Sequence, residues 1–166
     1  MTNSKANTIT PKGYLFSLSI IHAGLTIGIL LFTIVLYILS NDLILGFTSD
    51  ESIFIYIVPI VSMISYFGSQ YLFNNQLANV VKSNSLKEKL MLYQQACIIR
   101  FAFLEGAAFL SSVSFMLTNN VFYLVISLLL ILYLIKLRPN KKKVMGDLSF
   151  SLEEQQWFLM DNKEPK

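Results

Sequence analysis

Three stretches of this chain carry no charge at all: Tyr14 to Ser40, Ile53 to Val81 and Gly106 to Ile135. No other feature restricts the fold as strongly. About 20 consecutive apolar residues cross the hydrocarbon core of a bilayer. Lipid offers backbone N–H and C=O groups no partner, so such runs must be helical. The third run is long enough for one and a half spans and has to be divided; Thr118-Asn119-Asn120 supplies the turn. The reading is an all-α, polytopic membrane protein built as a four-transmembrane-helix bundle, with helices at about 14–39, 53–74, 98–117 and 121–137 in a domain of 14–138. A cytoplasmic segment, 1–13, precedes it, and a basic, amphipathic cytoplasmic tail, 139–166, follows. Composition agrees: only 14% of the residues are charged, against roughly 25% in a soluble domain.

Charge placement gives the orientation. On this layout Lys5 and Lys12 precede the first helix, Lys82, Lys87, Lys89 and Arg100 lie between the second and third or at the start of the third, and the other seven cations end or follow the fourth. All 13 fall on one side, whereas the opposite loops hold only Asp42, Asp50 and Glu51. The positive-inside rule then puts both termini in the cytoplasm, with the cell's inner membrane as the location. The first apolar run exceeds the 7–15 residues of a signal h-region and is expected to stay as an uncleaved anchor. Capping signals refine the ends: Thr10-Pro11 before the first helix, and S/T-x-x-E boxes at Thr48/Glu51, Ser85/Glu88 and Ser151/Glu154. The second box starts the third helix well before the bilayer, which predicts a cytoplasmic helical hairpin turning at Ser83-Asn84. Lys141-Lys142-Lys143 reads as a stop-transfer signal, and Trp157 and Phe158 as interfacial anchors.

Other chemistry is restricted by counting. One cysteine, Cys97, allows no internal disulfide, redox pair or structural zinc site, and one histidine, His22, excludes a bis-histidine haem within a subunit. No HExxH, GxSxG or P-loop pattern occurs. The expectation is a non-enzymatic protein with no metal, no cofactor and no nucleic-acid partner. The basic pI of about 8.9 is accounted for by the topology signal.

The sequence places one carboxylate in an apolar helix: Glu105, inside "FAFLEGAAF". A charge near the bilayer centre costs about 2.5–3.5 kcal/mol on insertion scales, so the group calls for a partner, a proton or a wet cavity. Counting rise per residue puts His22 and Glu105 at similar depth, with Tyr66 and Ser69 at that level on the second helix. The candidate ion- or proton-binding set is therefore Glu105, His22, Tyr66 and Ser69. Gly24, Gly28 and Gly106 are candidate helix-packing positions. Serines commonly line packed membrane helices with no transport role, and a lone histidine is more often a packing residue than a ligand. For Glu105 the functional and structural readings stand level.

Residues 98–122, "IIRFAFLEGAAFLSSVSFMLTNNVF", resemble the carboxylate-bearing second helix of the ATP synthase c subunit. That resemblance implies that Glu105 is an ion-binding carboxylate exchanging protons or sodium. The chain departs from that family in having four unlike helices and, in its second helix, Gly68 as the one glycine. The chain also resembles small bacterial four-helix membrane proteins with an R-x-x-x-x-E-G third helix, a likeness that implies no mechanism. Two functions follow as expectations. One is a helix-bundle subunit, alone or in a homo-oligomer, that relays protons through Glu105. The other is a non-transporting assembly protein in which Glu105 clamps helices and the cytoplasmic parts engage other membrane subunits.

Overall fold

A computed structural model of the chain describes residues 11–40, 42–46, 53–80, 85–148, 150 and 152–160. They form six helices: α1 (Pro11–Leu39), α2 (Phe54–Val80), α3 (Leu86–Thr118), α4 (Val121–Lys136), α5 (Lys141–Asp147) and α6 (Leu152–Met160). At 1.5 Å per residue, α1 and α2 are each about 40 Å long and α3 about 50 Å, all beyond the ~30 Å hydrocarbon thickness. These three are long and apolar enough to cross a membrane. α4, with 16 residues, reaches only about 24 Å. It makes a fourth candidate span when taken together with α5, which turns away from it by 82°.

Two clusters of buried side chains fix the up-and-down order. Tyr14 and Leu18 at the start of α1 meet Val80 at the end of α2, Leu90 and Tyr93 at the start of α3, and Leu134 at the end of α4. At the other end Leu36, Val58, Phe115, Tyr123 and Leu124 pack together. The helices therefore alternate in direction. Lys87, Lys89, Lys136 and Arg138 gather at the first of these ends, which we call the basic end. α3 packs on α1, α2 and α4, more extensively than any two of those pack on each other.

The packing is inside-out relative to a water-soluble bundle. His22, Thr26, Thr33, Ser62, Ser65, Ser69, Ser111, Ser112, Ser114 and Ser127 are buried, while Phe16, Ile27, Leu31, Ile38, Met63, Phe67, Leu129 and Leu132 are each more than half exposed. Water does not tolerate a continuous apolar exterior of that extent; lipid does, and it favours serine- and threonine-mediated contacts between helices. The central contact is of this kind. Thr33 Oγ1 and Ser112 Oγ are 2.8 Å apart, Ser112 Oγ and Ser127 Oγ 2.8 Å, and the Ser127 hydroxyl reaches the Ala108 carbonyl at 3.2 Å. Three hydroxyls thus join α1, α3 and α4.

Helix ends follow the sequence signals where both are visible. Thr118-Asn119-Asn120 is the turn between α3 and α4. Asn119 takes the left-handed conformation (φ 54°) that asparagine tolerates better than most residues, and Asn120 accepts a hydrogen bond from Phe122 N as the N-cap of α4. The α1–α2 connection is pinned onto this turn: Ile44 exchanges backbone hydrogen bonds with Asn119 and Val121, and Asn120 Nδ2 donates to the Gly46 carbonyl at 3.0 Å. Asn120→Ala removes the cap and the loop anchor together. It is expected to cost about 1–2 kcal/mol, read as a lower melting temperature in detergent.

Ser85 is the extended N-cap of α3, but its side chain makes no capping bond. Thr10, Thr48, Glu51, Ser151 and the Ser83-Asn84 turn lie outside the described residues, as do the side chains of Trp157 and Phe158. α2 and α3 run past their predicted spans at the basic end, to Val80 and from Leu86, so α3 starts where the Ser85/Glu88 box placed it. The tail folds onto this extension. Val144, Leu148 and Phe150 join its core, Lys89 Nζ and Glu154 form an ion pair at 3.1 Å, and the Tyr93 hydroxyl donates to Asp147 at 2.6 Å.

Candidate functional site

The four residues singled out for an ion- or proton-binding layer occupy separate surroundings. His22 is buried and donates from Nε2 to the Leu134 carbonyl at 2.8 Å, with its ring edge-on to Phe101. Leu134 lies in the last turn of α4, where its carbonyl also accepts from Leu137 N at 3.0 Å, so His22 ties α1 to the end of α4. Ser69 is buried and bonds the Tyr66 carbonyl of its own helix at 2.9 Å. Tyr66 is 40% exposed and packs against Tyr133 and Phe67. Glu105 is half-buried and forms no hydrogen bond or ion pair with the described residues. Apart from the Ser69 bond to the Tyr66 backbone, no hydrogen bond joins any two members of the set. Gly24, Gly28 and Gly106 face open space, with nothing within 4 Å of a Cβ built at each. Among the described residues, no helix packs against these positions.

A different group of polar residues does converge, at the basic end. Tyr93, Cys97 and Arg100 recur at helical spacing on α3; Tyr66, Gln70, Phe73, Asn74 and Leu77 do so on α2. They enclose a cavity of about 470 Å³, closed by Tyr133 and Lys136 of α4, by Leu137 and Pro139 after it, and by Lys143 and Asp147 of α5. The fold of the chain after α4 completes it. Pro139 cannot continue a helix already ending, and Asn140 caps α5 by accepting from Lys143 N at 2.8 Å. The sharp turn carries Lys143 and Asp147, one helical turn apart, over the mouth of the bundle.

Arg100 is the centre of this arrangement. Its guanidinium donates to Gln70 Oε1 and to the Tyr133 hydroxyl, the latter at 3.1 Å. It also lies over the Phe73 ring, with Cζ 4.7 Å from the centroid. Its Nε is buried with no hydrogen-bond partner. An arginine at the start of a span can snorkel to the interface; Arg100 is instead held between α2, α3 and α4 by a cation–π contact and two acceptors. The sequence signal that marks it is its isolation: no other cation occurs between Lys89 and Lys136.

The electrostatics of the cavity are one-sided. Arg100, Lys136 and Lys143 line it against a single carboxylate, Asp147, which already accepts from Tyr93. Lys143 lies on α5, past the 82° turn that ends α4. Burial, and then the neighbouring Arg100 and Lys136, hold its ammonium below the usual lysine value, with Asp147 pulling the other way. Two of its three donors go to the Lys136 and Arg138 carbonyls, at 2.6 and 3.2 Å, which quiets the end of α4. An anion in the cavity would relieve the repulsion among the three cations and supply the missing acceptor for Arg100 Nε. Among the described residues, no three His, Cys, Asp or Glu side chains come together as a metal site requires.

The chain is thus all-helical, with three to four helices fit to span a membrane and a basic cavity at one end of the bundle. No family model, curated protein or solved structure matches it.

Proposed function

We propose that this chain is a multi-pass protein of the cytoplasmic membrane, with both termini inside, whose bundle holds an anionic group at its cytoplasmic end. The observation that carries the reading is the cavity itself: three cations against one carboxylate that accepts from Tyr93, and an orphaned guanidinium N–H, around a space large enough for a phosphate-bearing group. The positive-inside rule supports a cytoplasmic placement of that end, and basic pockets between spanning helices there suit acidic headgroups. Fixed cations and phenols hold and orient an anion, so the proposed activity is binding rather than turnover. The test is thermal unfolding of the detergent-purified protein in rising inorganic phosphate, at constant ionic strength set with chloride. Binding to the folded form raises the melting temperature along a saturating curve. An equal shift in Arg100→Gln protein would place the effect elsewhere.

A second reading attaches to Glu105. Within the described residues it has nothing to clamp, so a clamping role would be met by another molecule, either a second copy or a different membrane subunit. This favours assembly over a proton path internal to one bundle. Glu105→Gln, nearly isosteric, is expected to dissociate an oligomer or a copurifying subunit in mild detergent while leaving the phosphate response unchanged. Intact assembly combined with lost proton flux in liposomes would return the proton-relay function to Glu105.

A further inference from the structure

A second concavity adjoins the basic cavity. It holds about 400 Å³ between α2 and α4, and its walls are almost wholly apolar, Pro59 and Phe67 on one side and Ile126 and Leu129 on the other. Tyr66 and Tyr133 line both spaces, with their rings 4.7 Å apart between centroids. On α4 the groove runs from Phe122 to Tyr133, about 16 Å at the helical rise. The polar and apolar spaces therefore follow one another along the bundle, separated by a tyrosine pair that lines both and whose Tyr133 hydroxyl belongs to the Arg100 network.

We propose that the occupant of the basic cavity is the phosphate headgroup of an anionic membrane lipid, with one acyl chain laid in the α2–α4 groove. The proposal rests on the anion-binding reading and extends it to the ligand's class. Three facts select a lipid over a free anion. The groove opens on the outer, apolar face of the bundle: Phe67 and Leu129 are 66% and 61% exposed, so what fills it comes from the surrounding hydrocarbon. The groove begins where the cationic lining ends, matching the order of headgroup and chain in an amphiphile. Tyrosine, with a wet end and an apolar end, suits the level at which a lipid changes from one to the other.

The experiment uses the full chain, delipidated in detergent, and native mass spectrometry with phosphatidylglycerol and phosphatidylcholine as probes. The wild type is expected to retain phosphatidylglycerol at least tenfold better than phosphatidylcholine; equal retention would overturn the proposal. Ile126→Trp fills the groove and should abolish that preference while keeping the thermal response to inorganic phosphate. Leu129→Trp, on the outer lip, serves if the first variant does not fold. Arg100→Gln should lose both responses. If both groove variants retain the lipid preference and Arg100→Gln loses it, the headgroup site stands alone and the acyl-chain proposal is wrong. If Arg100→Gln changes neither response, the anion reading itself fails.

Discussion

Arg100→Glu protein should show no phosphate-dependent stabilisation at concentrations that saturate the wild type. The guanidinium is the one cation of the cavity fixed from several sides, by Gln70, Tyr133 and the face of Phe73. A hydrogen bond to a charged group contributes about 1.5–3 kcal/mol. Losing one such contact weakens binding by roughly 10- to 150-fold, at 1.4 kcal/mol per factor of ten. Reversing the charge adds repulsion of the ligand, so the loss for glutamate should exceed 100-fold. Arg100→Lys separates the causes. It keeps the charge but loses the planar fork, and is expected to bind with intermediate affinity. A lysine variant as inactive as the glutamate one would assign the effect to the guanidinium's geometry, and full activity to charge alone. Melting without phosphate controls for folding, since Gln70 and Tyr133 lose a donor in every variant.

The second large effect is expected in the middle of the bundle. Ser112 is fully buried and bonded to hydroxyls on two other helices. Ser112→Leu adds bulk where α1, α3 and α4 meet, and forced overpacking costs about 1–3 kcal/mol. It also removes the shared partner of Thr33 and Ser127, at about 0.6 kcal/mol per interhelical hydrogen bond in membranes. A loss near 3 kcal/mol should appear in detergent unfolding. Ser112→Ala removes the bonds without the bulk and should cost no more than about 1–2 kcal/mol, on the same basis. Equal effects from the two substitutions would mean that the hydroxyls, rather than close packing, hold the three helices.

These two sites were unequally visible in the sequence. The existence and order of the helices were legible because long uncharged runs leave the backbone no alternative in lipid. The break at Thr118–Asn120 was legible because asparagine both tolerates the left-handed turn and caps the next helix. The early start of α3 was legible in the Ser85/Glu88 box, and α2 and α3 continue past the span limits there on buried contacts from Val80, Leu90 and Tyr93. The fourth helix was also legible: it ends at Lys136, one residue from the limit read at 137, before the turn into α5.

The candidate site followed the same division. Counting rise along helices put His22 and Glu105 at one depth, but depth does not fix direction, and the bundle gives each its own surroundings. Glu105 drew notice because an isolated carboxylate in an apolar helix is costly wherever it points. Arg100 drew less, because a long cation near a helix end has a routine alternative in snorkelling. The arrangement depends on α5 turning back over the bundle, a tertiary event. The Lys141–Lys143 run carries no mark that distinguishes its third member, which enters the cavity, from a plain stop-transfer signal.

The most direct test of the central claim is phosphorus-31 NMR of inorganic phosphate in the presence of the detergent-solubilised protein. The wild type should broaden the phosphate line in proportion to protein concentration, with the broadening removed by excess phosphate and absent with Arg100→Glu. A line as sharp with the wild type as with the variant would contradict an anion site at the basic end of this bundle.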